Sequence, residues 1–125
     1  MENLLVIEET QDTPKIVFDK NKGIFEISGR SLPENAIKFY TPVLKWLEDY
    51  IVAPNPTTCF EFKLDYFNSA STKKIFEIIT ILGKLTPSNS SVVIKWYYSK
   101  DDELIKTKGT EMQEMFEIPF EVRTY

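Results

Sequence analysis

The chain has 125 residues, a net charge of −4 and 42% hydrophobic residues, which is enough apolar side chain for one packed core and too much for a disordered chain. It has no histidine and one cysteine, Cys59, which excludes the usual His/Cys zinc sites and both Ser-His-Asp and Cys-His catalysis. Its arginines are Arg30 and Arg123, with no basic run, so the electrostatic footprint of a nucleic-acid binder is missing.

Along the chain, Leu4 to Ile7 reads as either a short first strand or an anchoring arm. Residues 15–18 and 24–28 flank Asp19-Lys20-Asn21-Lys22-Gly23. That is a β-hairpin with Asn and Gly in the turn, closed by residues 29–33. Ser31 suits a helix cap with Pro33 and Glu34 in the first turn. Ile37, Tyr40, Leu44, Leu47 and Ile51 then fall on one helical stripe, with Ala36 and Val43 alongside. Pro42 predicts a kink or a restart capped by Thr41.

Residues 57–67 alternate. Phe60, Phe62, Leu64 and Tyr66 face one way; Cys59, Glu61, Lys63 and Asp65 face the other. A helix is predicted from about 70 to 85, buried along Ile75, Ile78, Ile79, Leu82 and Leu85, then a loop over 86–91. Residues 92–98 form a further strand. The acidic run 101–103 opens a more polar helix with a thin apolar face of Leu104, Met112 and Met115. Phe116, Ile118, Phe120 and Val122 alternate at the end, with Pro119 favouring an edge.

A β-hairpin followed by α-β-α-β-α-β implies an α/β fold, bordering on α+β, in one domain over 1–125. Its sheet should be mixed, with a mostly parallel portion and helices mainly on one face. No basic leader opens the chain and no apolar run reaches membrane-spanning length. A lone cysteine suits a reducing compartment. The expectation is a cytoplasmic protein without membrane insertion.

The junction of the 57–67 strand and the next helix carries the most chemistry. Asn68, Ser69, Ser71 and Thr72 cluster there, followed by Lys73 and Lys74. In one reading Asn68 or Ser69 only caps the helix. In the other, Ser69 is a phosphorylation site, with Ser71 and Thr72 as alternatives. A phosphate there adds about −1.5 to −2 charges next to the positive end of a helix. Trp96, Tyr97 and Tyr98 read as core and sheet-face residues, with an exposed Tyr97 in a partner-binding patch as the alternative. Tyr66 and Phe67 straddle the sheet, so that one faces the core and the other frames a docking surface. The acidic run at 101–103 reads as charge complementing the helix dipole rather than a Ca²⁺ loop, and no Walker-type phosphate loop is present.

The order and spacing of several segments add a resemblance: Thr10-Gln11-Asp12-Thr13-Pro14, Gly29-Arg30-Ser31-Leu32-Pro33-Glu34-Asn35, Tyr66-Phe67-Asn68-Ser69-Ala70-Ser71, Trp96-Tyr97-Tyr98 and Ile118-Pro119-Phe120. Together these resemble the SiaC-family regulatory phosphoproteins of bacteria, over nearly the whole chain. The resemblance implies a STAS-like fold and a non-enzymatic role in a partner-switching pathway, without cofactor or metal. It places the regulatory phosphoacceptor at Ser69, where the family often has Thr. The partner-binding surface is expected around the same junction, at Tyr66, Phe67, Asn68, Ser71 and Lys73. The implied partners are a protein kinase with a histidine-kinase-like fold, a PP2C-like phosphatase and a client such as a diguanylate cyclase. The alternative is a small-molecule module, for nucleotide or lipid, without a phosphorylation cycle.

Overall fold

The computed structural model describes residues 2–85 and 90–125, which form six strands and three helices. In chain order these are β1 (Leu4–Ile7), β2 (Lys15–Asp19), β3 (Ile24–Ser31), α1 (Ala36–Tyr50), β4 (Thr57–Phe67), α2 (Ser69–Gly83), β5 (Ser91–Tyr98), α3 (Glu103–Met115) and β6 (Phe120–Thr124). Residues 86–89 of the loop expected over 86–91 lie outside the described residues.

The strands form one sheet whose spatial order equals their chain order. β1, β2 and β3 pair antiparallel, and β3 to β6 pair parallel. This is the mixed α/β architecture that the alternating pattern predicts. The physical reason for one-sided helices is topological. Crossovers of a single hand between successive neighbouring strands always return over the same face. Burial follows suit: Ile16, Phe18, Phe25, Ile27, Phe60, Phe62, Leu64, Val92, Ile94 and Trp96 all pack into the core beneath the helices. The intervening residues, Glu26, Cys59, Glu61, Lys63, Lys95 and Tyr97 among them, lie on the helix-free face and are only partly covered.

Several local expectations change. Leu4–Ile7 is a strand, at one edge of the sheet. β3 continues to Ser31, so residues 29–31 extend the hairpin rather than close it. Ser31 is consequently not a helix cap; Asn35 is, its side chain accepting from the Lys38 N–H at 3.0 Å. α1 runs unbroken through Pro42, with no restart at Thr41, whose hydroxyl instead donates to the Ile37 carbonyl. The buried stripe of α1 is Tyr40, Val43, Trp46, Leu47 and Tyr50, while Ile37 stands in solvent. In α3 the buried residues are Ile105, Gly109 and Met112, with Leu104 and Met115 exposed.

β4 departs from strict alternation at one point. Gly29 pairs with Leu64, but Arg30 pairs with Tyr66, so Asp65 has no partner across the ladder. This bulge inverts the alternation beyond it. Tyr66, expected with Phe60, Phe62 and Leu64, turns out to solvent, and Phe67 turns into the core. Opposite the bulge, Gly29 has φ of +101°, a conformation that side chains with a Cβ rarely adopt.

Candidate functional site

The carboxyl ends of the parallel strands and the amino ends of all three helices meet at one edge of the sheet. Three side chains cap those helices there: Asn35, Asn68 and Asp102. Positive dipole ends therefore gather along this edge. The first turns of α1 and α2 contain no acidic residue to offset them, whereas α3 has Glu103.

At the middle of this edge sits the β4–α2 junction. Asn68, in an extended conformation, caps α2 by accepting from the Ser71 N–H at 2.9 Å. Its carbonyl accepts from the Thr72 N–H and, at 3.1 Å, from the Thr72 hydroxyl. Its own N–H donates to the Ser31 carbonyl at 3.1 Å. Capping therefore falls to Asn68, and Ser69 occupies the first helical position. The Ser69 side chain is exposed and its hydroxyl makes no hydrogen bond among the described residues. The leading N–H groups of a helix have no intrahelical partner, and here Asn68 caps only that of Ser71.

The neighbouring hydroxyls are already engaged. Ser71, expected both as an alternative acceptor and in the partner surface, is 0% exposed. Its hydroxyl lies 2.7 Å from Ser31 Oγ and donates to the Ser31 carbonyl at 2.9 Å. Ser31 Oγ is in turn 2.6 Å from Tyr40 OH. Thr72 is half-buried and bonded to Asn68.

The other expected surface residues divide. Tyr66 is 38% exposed, with the Arg30 guanidinium 5.8 Å from its ring centre. Phe67 is 2% exposed and packs edge-on against Trp96, so the bulge removes it from any docking surface. Lys73 is exposed beside Ser69 on α2, while Lys74 pairs with Glu77 at 3.3 Å. A shallow, mainly apolar depression flanks the junction, lined by Ile7, the first turns of α1 and Ala70.

Sequence reading missed Ser31 and Tyr40 as partners of this turn. The signal was Tyr40 on an apolar stripe, because a buried phenol needs an acceptor or donor. It missed Lys108 as well, whose ammonium lies 5.1 Å from the Phe67 ring centre. No helix among the described residues is long and apolar enough to cross a membrane.

Known proteins resemble this chain over nearly its whole length. A family model described as "SiaC family regulatory phosphoprotein" matches residues 7–125. An uncharacterized protein of Pseudomonas aeruginosa (strain UCBPP-PA14) is 26% identical over 121 residues, covering 97% of this chain and 96% of that protein. The crystal structure of apo-SiaC from Pseudomonas aeruginosa superposes with a TM-score of 0.90 at 25% identity, covering 98% of this chain and 99% of that one. A chain in the crystal structure of the diguanylate cyclase SiaD with its activator SiaC, from the same organism, superposes with a TM-score of 0.91 at 26% identity, covering 97% and 99%.

Proposed function

Because this chain belongs to the SiaC family of regulatory phosphoproteins, we propose that it is a phosphorylation-controlled binding protein, acting as one regulatory unit over 1–125, with Ser69 as its phosphoacceptor. The observation that carries the assignment is local. Within one turn of α2 stand three hydroxyls, and the two at Ser71 and Thr72 are spent on hydrogen bonds, whereas that of Ser69 is exposed and makes no hydrogen bond among the described residues. A kinase reaches Ser69 without unfolding the turn; reaching Ser71 would require breaking a buried network.

A phosphate on Ser69 would add about −1.5 to −2 charges at the amino end of α2. The helix dipole and the uncapped N–H groups favour it, so the modification leaves the fold in place and changes the charge of the surface that a partner meets. Tyr66, Lys73 and the exposed edge of Asn68 lie beside it and would be read together with the phosphate. Phe67 and Ser71 act from beneath, by packing and by hydrogen bonding.

The proposed cycle uses a kinase with a histidine-kinase-like fold, a PP2C-like phosphatase and a diguanylate cyclase as client, in the cytoplasm. The cyclase follows from the relative that is described as the activator of SiaD. The protein itself does no chemistry in this scheme: its role is to bind or release.

Phosphosite mapping by mass spectrometry on protein isolated from its own host, against a phosphatase-treated control, tests the assignment. Phosphate is expected on Ser69 and absent from Ser69→Ala. Undiminished incorporation in that variant would refute the site. Pull-downs with Ser69-phosphorylated and unphosphorylated protein should then recover different partners.

A further inference from the structure

Ser69 is bracketed by a buried network of hydroxyls drawn from three elements. The Ser31 carbonyl accepts twice, from the Asn68 N–H at 3.1 Å and from the Ser71 hydroxyl at 2.9 Å. One acceptor on β3 thus holds the residue before Ser69 and the residue two after it. Ser31 and Ser71 are 0% exposed, as is Tyr40, which reaches the same point from α1.

The protons in this network can be assigned by counting. A serine or tyrosine hydroxyl has one proton to donate. Ser71 spends its proton on the Ser31 carbonyl, so the 2.7 Å bond between the two serines takes its proton from Ser31. Ser31 then has none left, and the 2.6 Å bond to Tyr40 takes its proton from Tyr40. The chain runs one way, from Tyr40 to Ser31 to Ser71 to the Ser31 carbonyl, with every hydroxyl satisfied. Water would otherwise solvate these groups, and in a dry site each unmade bond carries its full desolvation cost.

We propose that Ser31, Tyr40 and Ser71 are positioning residues for the phosphoacceptor: their network pins the first turn of α2 to β3 and α1, so that Ser69 is presented in one fixed orientation with its own hydroxyl left free. The inference rests on the reading of Ser69 as the phosphorylation site. Two features argue for presentation rather than bulk stability. The network surrounds Ser69 on both sides yet makes no bond to it. It also joins three separate elements, β3, α1 and α2, at the edge where the helix amino ends gather.

Tyr40→Phe tests this, because it keeps the ring, deletes the terminal donor and removes no serine or threonine. In hydrogen–deuterium exchange on the full chain, the amides of Asn68, Ser71 and Thr72 should exchange about fivefold faster, the effect of losing about one net hydrogen bond, with β5 unchanged. In its own host the variant should carry about fivefold less phosphate on Ser69, in line with the same loss. Val92→Ala, a core truncation in β5, costs at least as much stability and should leave Ser69 phosphate at the parent level. Should Tyr40→Phe fail to fold, Ser71→Ala is read by the same two measurements.

Parent-level phosphate in the variant, or an exchange rise spread over the whole chain, overturns the positioning role alone. A parent protein that never carries phosphate on Ser69 overturns the proposed function and this inference with it.

Discussion

At the residue scale, one unpaired residue decides which aromatic meets solvent. Asp65 has no partner on β3, and the alternation of β4 inverts after it. Tyr66 and Phe67 exchange faces as a result, so the surface beside Ser69 carries a phenol and a guanidinium instead of a phenyl ring. Tyr40 is the other decisive residue. Burial pushes its phenol above the ordinary value of 10.0, with the serine hydroxyls opposing the shift. The native state therefore holds this proton more tightly than the unfolded chain does. The corresponding stability is complete below the unfolded value and is lost as pH climbs from there toward the raised native value. Urea midpoints are expected to fall above about pH 10, the unfolded tyrosine value, and to fall less steeply in Tyr40→Phe. Tyr97 and Tyr125, also raised by burial first, keep part of the slope in both proteins. Identical slopes would show that Tyr40 does not titrate as a buried phenol.

At the element scale, the helices differ in how well their faces could be read. α2 follows its pattern closely: Ile75, Ile78, Ile79 and Leu82 are all buried, with Leu85 just beyond its end. In α1 the aromatic residues rotate the stripe. Trp46 and Tyr50 stack with centroids 5.5 Å apart, both rings lie against Phe25, and Ile37 is left in solvent. α3 has little apolar surface, and its docking depends on a glycine. A Cβ on Gly109 would sit 2.6 Å from Trp96 Nε1 and 2.8 Å from its Cγ. That indole cannot easily retreat, since Nε1 donates to the Ile105 carbonyl at 3.0 Å and the rings of Phe62 and Phe67 flank it. Helix propensity alone would make Gly109→Ala stabilising by about 1 kcal/mol. Overpacking of about 1–3 kcal/mol opposes it, and with the indole pinned the larger figure applies. We expect a net loss of about 2 kcal/mol in denaturant unfolding; a gain would mean that α3 moves off the sheet at little cost.

At the scale of the whole molecule, the sheet has one dry face and one wet face. The wet face carries a ladder of charges, with Lys63 3.2 Å from Glu26 and 5.3 Å from the Tyr97 ring centre. Both members of that ion pair remain partly exposed, and such pairs contribute little in water. Glu26→Gln is therefore expected to change stability by less than about 1 kcal/mol, and a larger loss in denaturant titration would mark this face as more enclosed than the side-chain exposures indicate. The sequence by itself determined the mixed sheet with helices on one side, because period-two and period-3.6 patterns record which residues meet water and which do not. It also located the hydroxyl cluster at the strand–helix junction, because capping residues are local signals. Which of those hydroxyls is free was decided only by tertiary structure. Ser71 is occupied because the register of β3 against β4 brings Ser31, 40 positions away, under the first turn of α2. Tyr40 reaches the same point because α1 crosses back over that edge, and a meeting of three distant segments leaves no periodic trace in any one of them.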